Sequence, residues 1–116
     1  MILQGIYSES DKMAVWNKAT SIPNMDSAMW RQDPTGAWIC WDNFGDTSSD
    51  FGFGWEVDHK KPQAKGGSDN LANLEALQWR NNRTKGDDYP ICRALISSFG
   101  NRNIRKEQER VVISIN

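Results

Sequence analysis

The residues able to do chemistry crowd into positions 55–87, WEVDHKKPQAKGGSDNLANLEALQWRNNRTKGD. His59, the only histidine, directly follows Asp58. An imidazole titrates near neutrality and can take a proton from water, whereas a carboxylate is a hard ligand suited to a cation such as Mg²⁺. Asn82 offers a second hard oxygen. Lys85 lies three residues further on the same predicted helix face, where an ammonium can meet a phosphate. Hydrolysis of a phosphodiester needs an activated water, stabilisation of transition-state charge and help for the departing 3′ oxygen, and one base with one hard cation can supply all three. In that scheme His59 is the general base, Asp58 and Asn82 hold one divalent metal ion, Mg²⁺ first and Mn²⁺ second, and Lys85 with Arg83 grips phosphate. Lys60, Lys61 and Lys65 are further candidate phosphate contacts.

Those roles constrain the elements beneath them. Trp55–His59 reads as a strand entered from an Asp-, Ser- and Gly-rich loop over 42–54, and successive strand residues point to opposite faces. Asp58 and His59 therefore need a bend or bulge to serve one site. A polar loop follows, with Asp69 and Asn70 as turn formers. A short strand near Leu74–Leu77 and a helix over roughly Gln78–Lys85 come next. Trp55 and Trp79 read as core, and Glu56, pointing away from the partners of Asp58, receives no role.

Upstream, Met13, Val15, Trp16 and Ala19 recur at near-helical spacing behind the capping cluster Ser8–Asp11, predicting a helix between Ser8 and Thr20. Met29–Gln32 and Ala37–Trp41 flank Asp33-Pro34-Thr35-Gly36 and predict a hairpin. Short strands are expected at Ile2–Tyr7 and Val111–Ile115. Tyr89–Phe99 reads as a helix starting near Pro90, with Cys92, Leu95, Ile96 and Phe99 inward and Gly100 as its stop. Arg102–Arg110 reads as a charged helix.

The stretch 55–87 strongly resembles the HNH endonuclease family, built on a ββα-metal fold of a two-stranded hairpin and a helix around one metal. Asp58-His59, Pro62, the Gly66-Gly67-Ser68-Asp69 connector, Asn73-Leu74, Asn82 with Lys85, and the closing Lys85-Gly86-Asp87 stand in the family's order and spacing. The resemblance implies that His59 activates water and that Asp58 and Asn82 ligate the metal. It gives Asn73 a catalytic part through holding the hairpin loop and orienting the base. Many relatives also carry paired CxxC motifs for a structural zinc. Gln78 and Asn81 occupy such positions here, so no structural zinc is expected, and Trp30, Trp38, Trp41 and Phe53 are expected to support the core instead. Lys60 departs from the apolar residue that usually follows the first His.

Composition sets the remaining bounds. At 116 residues, 38% apolar and 25% charged, the chain suits one globular α+β domain over 1–116, with a ββα core at about 53–87, the Trp-rich hairpin before it and additional helices. The net charge of −1 hides an asymmetry: three basic against nine acidic residues up to Asp58, eleven against six from His59 onward. The second half is therefore the expected nucleic-acid face. Cys40 and Cys92 lack metal-ligand spacing and read as buried thiols. With no secretion signal or membrane span legible, a soluble cytoplasmic protein is expected. The expected partner is DNA. A different class of function remains open, that of a catalytically silent HNH-fold module binding nucleic acid or another phage or bacterial protein.

Overall fold

A computed structural model describes residues 6–114, so residues 2–5 of the expected first strand and Ile115 of the expected last one lie outside the described residues, while Ile6 and Tyr7 are described and do not form a strand. The class is α+β, with two α-helices and three small sheets among the described residues. Helix α1 spans Glu9–Trp16 and starts where the Ser8 hydroxyl accepts from the Asp11 amide at 3.0 Å. It stops short of the expected Thr20. Lys18 and Ala19 donate to carbonyls three residues back, tightening the last turn, and β1 (Thr20–Ser21) then pairs with β2 (Trp30–Gln32). β2 turns through Asp33–Ala37 into β3 (Trp38–Cys40), antiparallel, which is the expected hairpin. Gly36 takes a φ of 91° in this turn.

β4 (Trp55–His59) and β5 (Leu74–Gln78) pair antiparallel from Trp55↔Gln78 to His59↔Leu74, and all ten residues are buried. β5 runs directly into α2 (Trp79–Lys85), whose first turn is capped by the Gln78 side chain accepting from the Arg80 and Asn81 amides. One face of this hairpin, through Trp55, Val57, Leu74 and Ala76, packs with Val15, Trp16 and Ile39. Trp16, Trp41 and Phe44 surround the Trp55 ring at centroid distances of 5.1, 5.8 and 4.8 Å. Trp30, Trp38 and Phe53 form a separate aromatic group, so of the four aromatics expected to brace the core only Trp41 stacks on Trp55.

The last quarter of the described chain differs from expectation. Tyr89–Phe99 and Arg102–Arg110 are not helices; β6 (Ile91–Phe99) and β7 (Arg102–Val111) form an antiparallel hairpin. Cys92, Ala94 and Ile96 are buried while Ile91 and Arg93 face out, a period of two. The apolar set Cys92, Leu95, Ile96 and Phe99 satisfies helical spacing equally well, which is why periodicity misled. The overlooked signal is Gly100-Asn101, a two-residue turn with Gly100 at φ 63° between the pair Phe99↔Arg102. β7 ends at Val111, so the expected terminal strand from Val111 contributes only its first residue.

Gln78 and Asn81 act as polar staples. The Gln78 amide donates to the carbonyls of Asp50 and Gly52. Asn81 accepts from the amides of Leu95 and Ile96, both at 2.9 Å, at the register shift in β6, and donates to Thr35 Oγ1 and the Ile96 carbonyl. Buried Asp33, from the β2–β3 turn, accepts from Thr35, Ala37, Gln78 and Asn81. These bonds tie the Trp-rich hairpin, the 50–52 loop and β6 to the start of α2. Cys40 and Cys92 are free buried thiols.

Candidate active site

The face of the β4–β5 hairpin turned toward α2 carries three buried carboxylates, Glu56, Asp58 and Glu75. Alternation puts Glu56 and Asp58 on one face, and cross-strand pairing sets Glu75 opposite Asp58. Each acid has a cationic partner. Arg83 grips Glu56 through two bonds of 2.9 and 2.7 Å, Arg110 grips Glu75 through two of 3.1 and 2.9 Å, and Lys85 Nζ lies 3.3 Å from both oxygens of Asp58. Burial, then the facing Glu75 carboxylate, pushes the Asp58 carboxyl up to about 9. Burial acts on Glu75 in the same sense, but the bonds from Arg110 and Asp58 outweigh it and hold Glu75 below the usual carboxylate range. The two carboxyls titrate together, Asp58 shifted up and Glu75 shifted down.

Lys85 does not take the position expected of a phosphate contact. Only 1% exposed, it also donates to the His59 carbonyl at 2.9 Å. The short α2 lies directly on the acidic face, so the lysine stem folds inward and its ammonium serves Asp58. Glu56, given no role from sequence, does meet an expected partner of Asp58: Asn82 Nδ2 donates to it at 3.0 Å. Arg83 is half exposed beside the same carboxylate.

His59 lies on the opposite face. The β4–β5 register runs through Asp58 and His59 without a shift, so the expected bend is absent and the two side chains point apart. The His59 imidazole is buried and its Nε2 stands 2.7 Å from Asp69 Oδ1, an oxygen that also accepts from the Gln63 amide at 2.8 Å. Asp69 is thus a carboxylate partner of the imidazole as well as a loop residue. The bond from His59 holds its carboxyl below the usual range. With Nε2–H donating to Asp69, Nδ1 carries the lone pair. The Tyr7 hydroxyl, buried and without a hydrogen-bond partner among the described residues, is pushed up to about 12 by burial and then by Asp69 and Asp58.

Asn73 is fully buried and spends its amide on the loop that carries His59 forward. Its oxygen accepts from the Lys61 amide at 2.9 Å and Ser114 Oγ at 2.7 Å, and its nitrogen donates to the Lys61 and Ser68 carbonyls at 3.0 and 2.8 Å. Lys60 and Lys61 are half-buried and Lys65 is exposed. Among the residues that sequence reasoning missed, Glu56 and Glu75 carried a signal, since acids at alternating or facing positions of buried strands must share partners. Asp69 carried none, because its pairing depends on the path of the loop.

A buried histidine paired with a carboxylate, and three buried acids on the other face of the strand pair under a short helix, stand in strand–loop–strand–helix order. Residues 39–88 match the family model described as HNH endonuclease. The segment 39–88 belongs to the HNH endonuclease family. No curated protein and no solved structure matches the chain. The HNH segment runs from β3 to just past α2, so α1, β6 and β7 lie outside it.

HNH nucleases generally use a divalent metal, and the donors present suit one in chemistry. Among the described residues Asp58 Oδ2 is buried with no hydrogen-bond donor, beside its 3.3 Å ion contact with Lys85. Asn82, donating its nitrogen to Glu56, keeps its oxygen as an acceptor. These are hard oxygens of the kind Mg²⁺ selects. No group of three or more His, Cys, Asp or Glu among the described residues is arranged to hold a metal by itself. Among the described residues no helix is long and apolar enough to cross a membrane.

Proposed function

We propose that this HNH protein is a DNA endonuclease, folded as one domain over 1–116 with its ββα core at 53–87, acting in the cytoplasm with one divalent cation. The observation carrying the reading is the His59–Asp69 pair at 2.7 Å within an HNH segment. His59 takes a proton from the attacking water at Nδ1, and the Asp69 carboxylate stabilises the imidazolium that forms. Asn73 acts by pinning the loop on which Asp69 is carried. Asp58 Oδ2 and Asn82 Oδ1 would hold Mg²⁺ or Mn²⁺, which when bound supplies Lewis-acid stabilisation of phosphoryl charge. Asp58 and His59 project to opposite faces of β4, so one phosphate meets both only when the end of β4 twists as DNA and metal bind. Lys60, Lys61, Lys65 and the outer edge of Arg83 steer the backbone, and Lys85 positions Asp58. His59→Ala abolishes Mg²⁺-dependent plasmid nicking while circular dichroism keeps its wild-type shape, the lost bond to Asp69 lowering only the melting temperature. Nicking at the wild-type rate refutes the mechanism.

One observation favours a second reading. Lys85 brings a built-in cation to the carboxylate that would bind the metal, as suits an HNH fold retained for binding nucleic acid or a phage or bacterial protein. Calorimetric titration with Mg²⁺ and Mn²⁺ beside the nicking assay separates the two. Binding of DNA with no metal uptake and no cleavage supports the second.

A further inference from the structure

A cavity of about 210 Å³ opens where three cationic side chains converge from distant parts of the chain. Lys18 comes from just beyond α1, Lys60 from the residue after β4, and Arg110 from β7; Glu75, Ala76 and Val112 complete the wall. Lys18 and Arg110 lie outside the HNH segment, so the cavity is a feature of this chain's additions to that core.

The charges do not cancel. Glu75 is the one acid in the wall, and both its oxygens are occupied by Arg110. Neither Lys18 nor Lys60 forms an ion pair among the described residues. Lys18 is anchored by the carbonyls of Leu71 and Leu74, which fix the ammonium in place without neutralising it. Burial, and then the charge of Lys60, holds the Lys18 ammonium below its usual range, so the two lysines feel each other. Like charges gathered around a cavity are relieved by an anion. A cavity of this size has room for a phosphate group with part of its hydration.

We propose that Lys18, Lys60 and Arg110 form a binding site for a backbone phosphate of the DNA, flanking the phosphate that is cut. Glu75 joins the two places, bonded to Arg110 on one side and facing Asp58 across the strand pair at about 5 Å between Cα atoms. The site thereby sets the direction in which the strand leaves the end of β4. This rests on the nuclease reading.

The test is fluorescence anisotropy with a labelled DNA duplex, in EDTA so that nothing is cut, across a series of NaCl concentrations. Lys18→Gln and Lys60→Gln each weaken binding about threefold to tenfold at roughly 100 mM salt and make the slope of log K against log salt shallower by about one. The double variant loses about one unit of slope in all, since both lysines serve one phosphate, and Lys18→Arg binds as wild type does. If Lys18→Gln fails to fold, Lys60→Gln still decides the matter, since its ammonium holds no ion pair. Wild-type affinity and slope in a folded double variant overturn this site and leave the nuclease reading intact. Failure of the wild-type protein to bind duplex DNA overturns both.

Discussion

Replacing Lys85 by Met separates the two roles this lysine could play. Its ammonium is 1% exposed, 3.3 Å from each oxygen of Asp58 and 2.9 Å from the His59 carbonyl. Removing one partner from a buried pair costs about 3–5 kcal/mol, because the remaining charge or dipole is left without compensation. The long contacts to Asp58 place Lys85→Met at the low end, about 3 kcal/mol. The assay is urea unfolding followed by tryptophan fluorescence at neutral pH in EDTA, with the midpoint read at constant m-value. DNA binding by the folded fraction should keep the wild-type salt slope. A variant losing less than about 0.5 kcal/mol, a change typical of surface substitutions, and shedding one unit of salt slope would show that Lys85 contacts phosphate and that its burial against Asp58 is wrong.

Three further outcomes follow from the same geometry. Asn73→Ala deletes four side-chain hydrogen bonds at a fully buried position, so at about 1 kcal/mol each it lowers unfolding free energy by about 4 kcal/mol; a urea midpoint near wild type contradicts the pinned loop. Gly67→Ala places a Cβ 1.7 Å from the Lys61 carbonyl oxygen and 2.9 Å from Asn73 Nδ2. The loop must shift, lowering stability by about 2 kcal/mol or more and nicking with it; a stable, fully active variant refutes that packing. Asp69 has a folded pKa below its ordinary 3.8, so its contribution is present above that value and is lost as pH falls through the folded pKa. Thermal melts of Asp69→Asn should show a flatter acid limb below about pH 4 than wild type, and an unchanged limb rules out the His59–Asp69 bond.

Much of the core was legible because it is local. The DH pair, the Gly-Gly connector, Asn73-Leu74 and Asn82-x-x-Lys85 are read in one pass, and the alternation of buried strands with a helix immediately after Gln78 follows from short-range pattern. The turn at Asp33–Gly36 was equally plain, since Pro and Gly restrict the backbone by themselves. β6 and β7 were not, because Cys92, Leu95, Ile96 and Phe99 fit two periods and only pairing with β7 and the bonds that the Leu95 and Ile96 amides donate to Asn81 select one.

The sequence by itself determined which chemical groups this protein owns and the order of the elements that bear them. The tertiary structure decided where each group points and what it meets. His59 pairs with Asp69 because the 60–72 loop folds back under Asn73, and Lys85 turns inward because α2 packs on a sheet face whose buried carboxylates need a cation. Lys18 and Arg110 enter one cavity from opposite ends of the chain. A long flexible side chain is compatible with many partners, and the choice among them is made by burial and by charges brought close from far along the chain, neither of which short-range spacing contains.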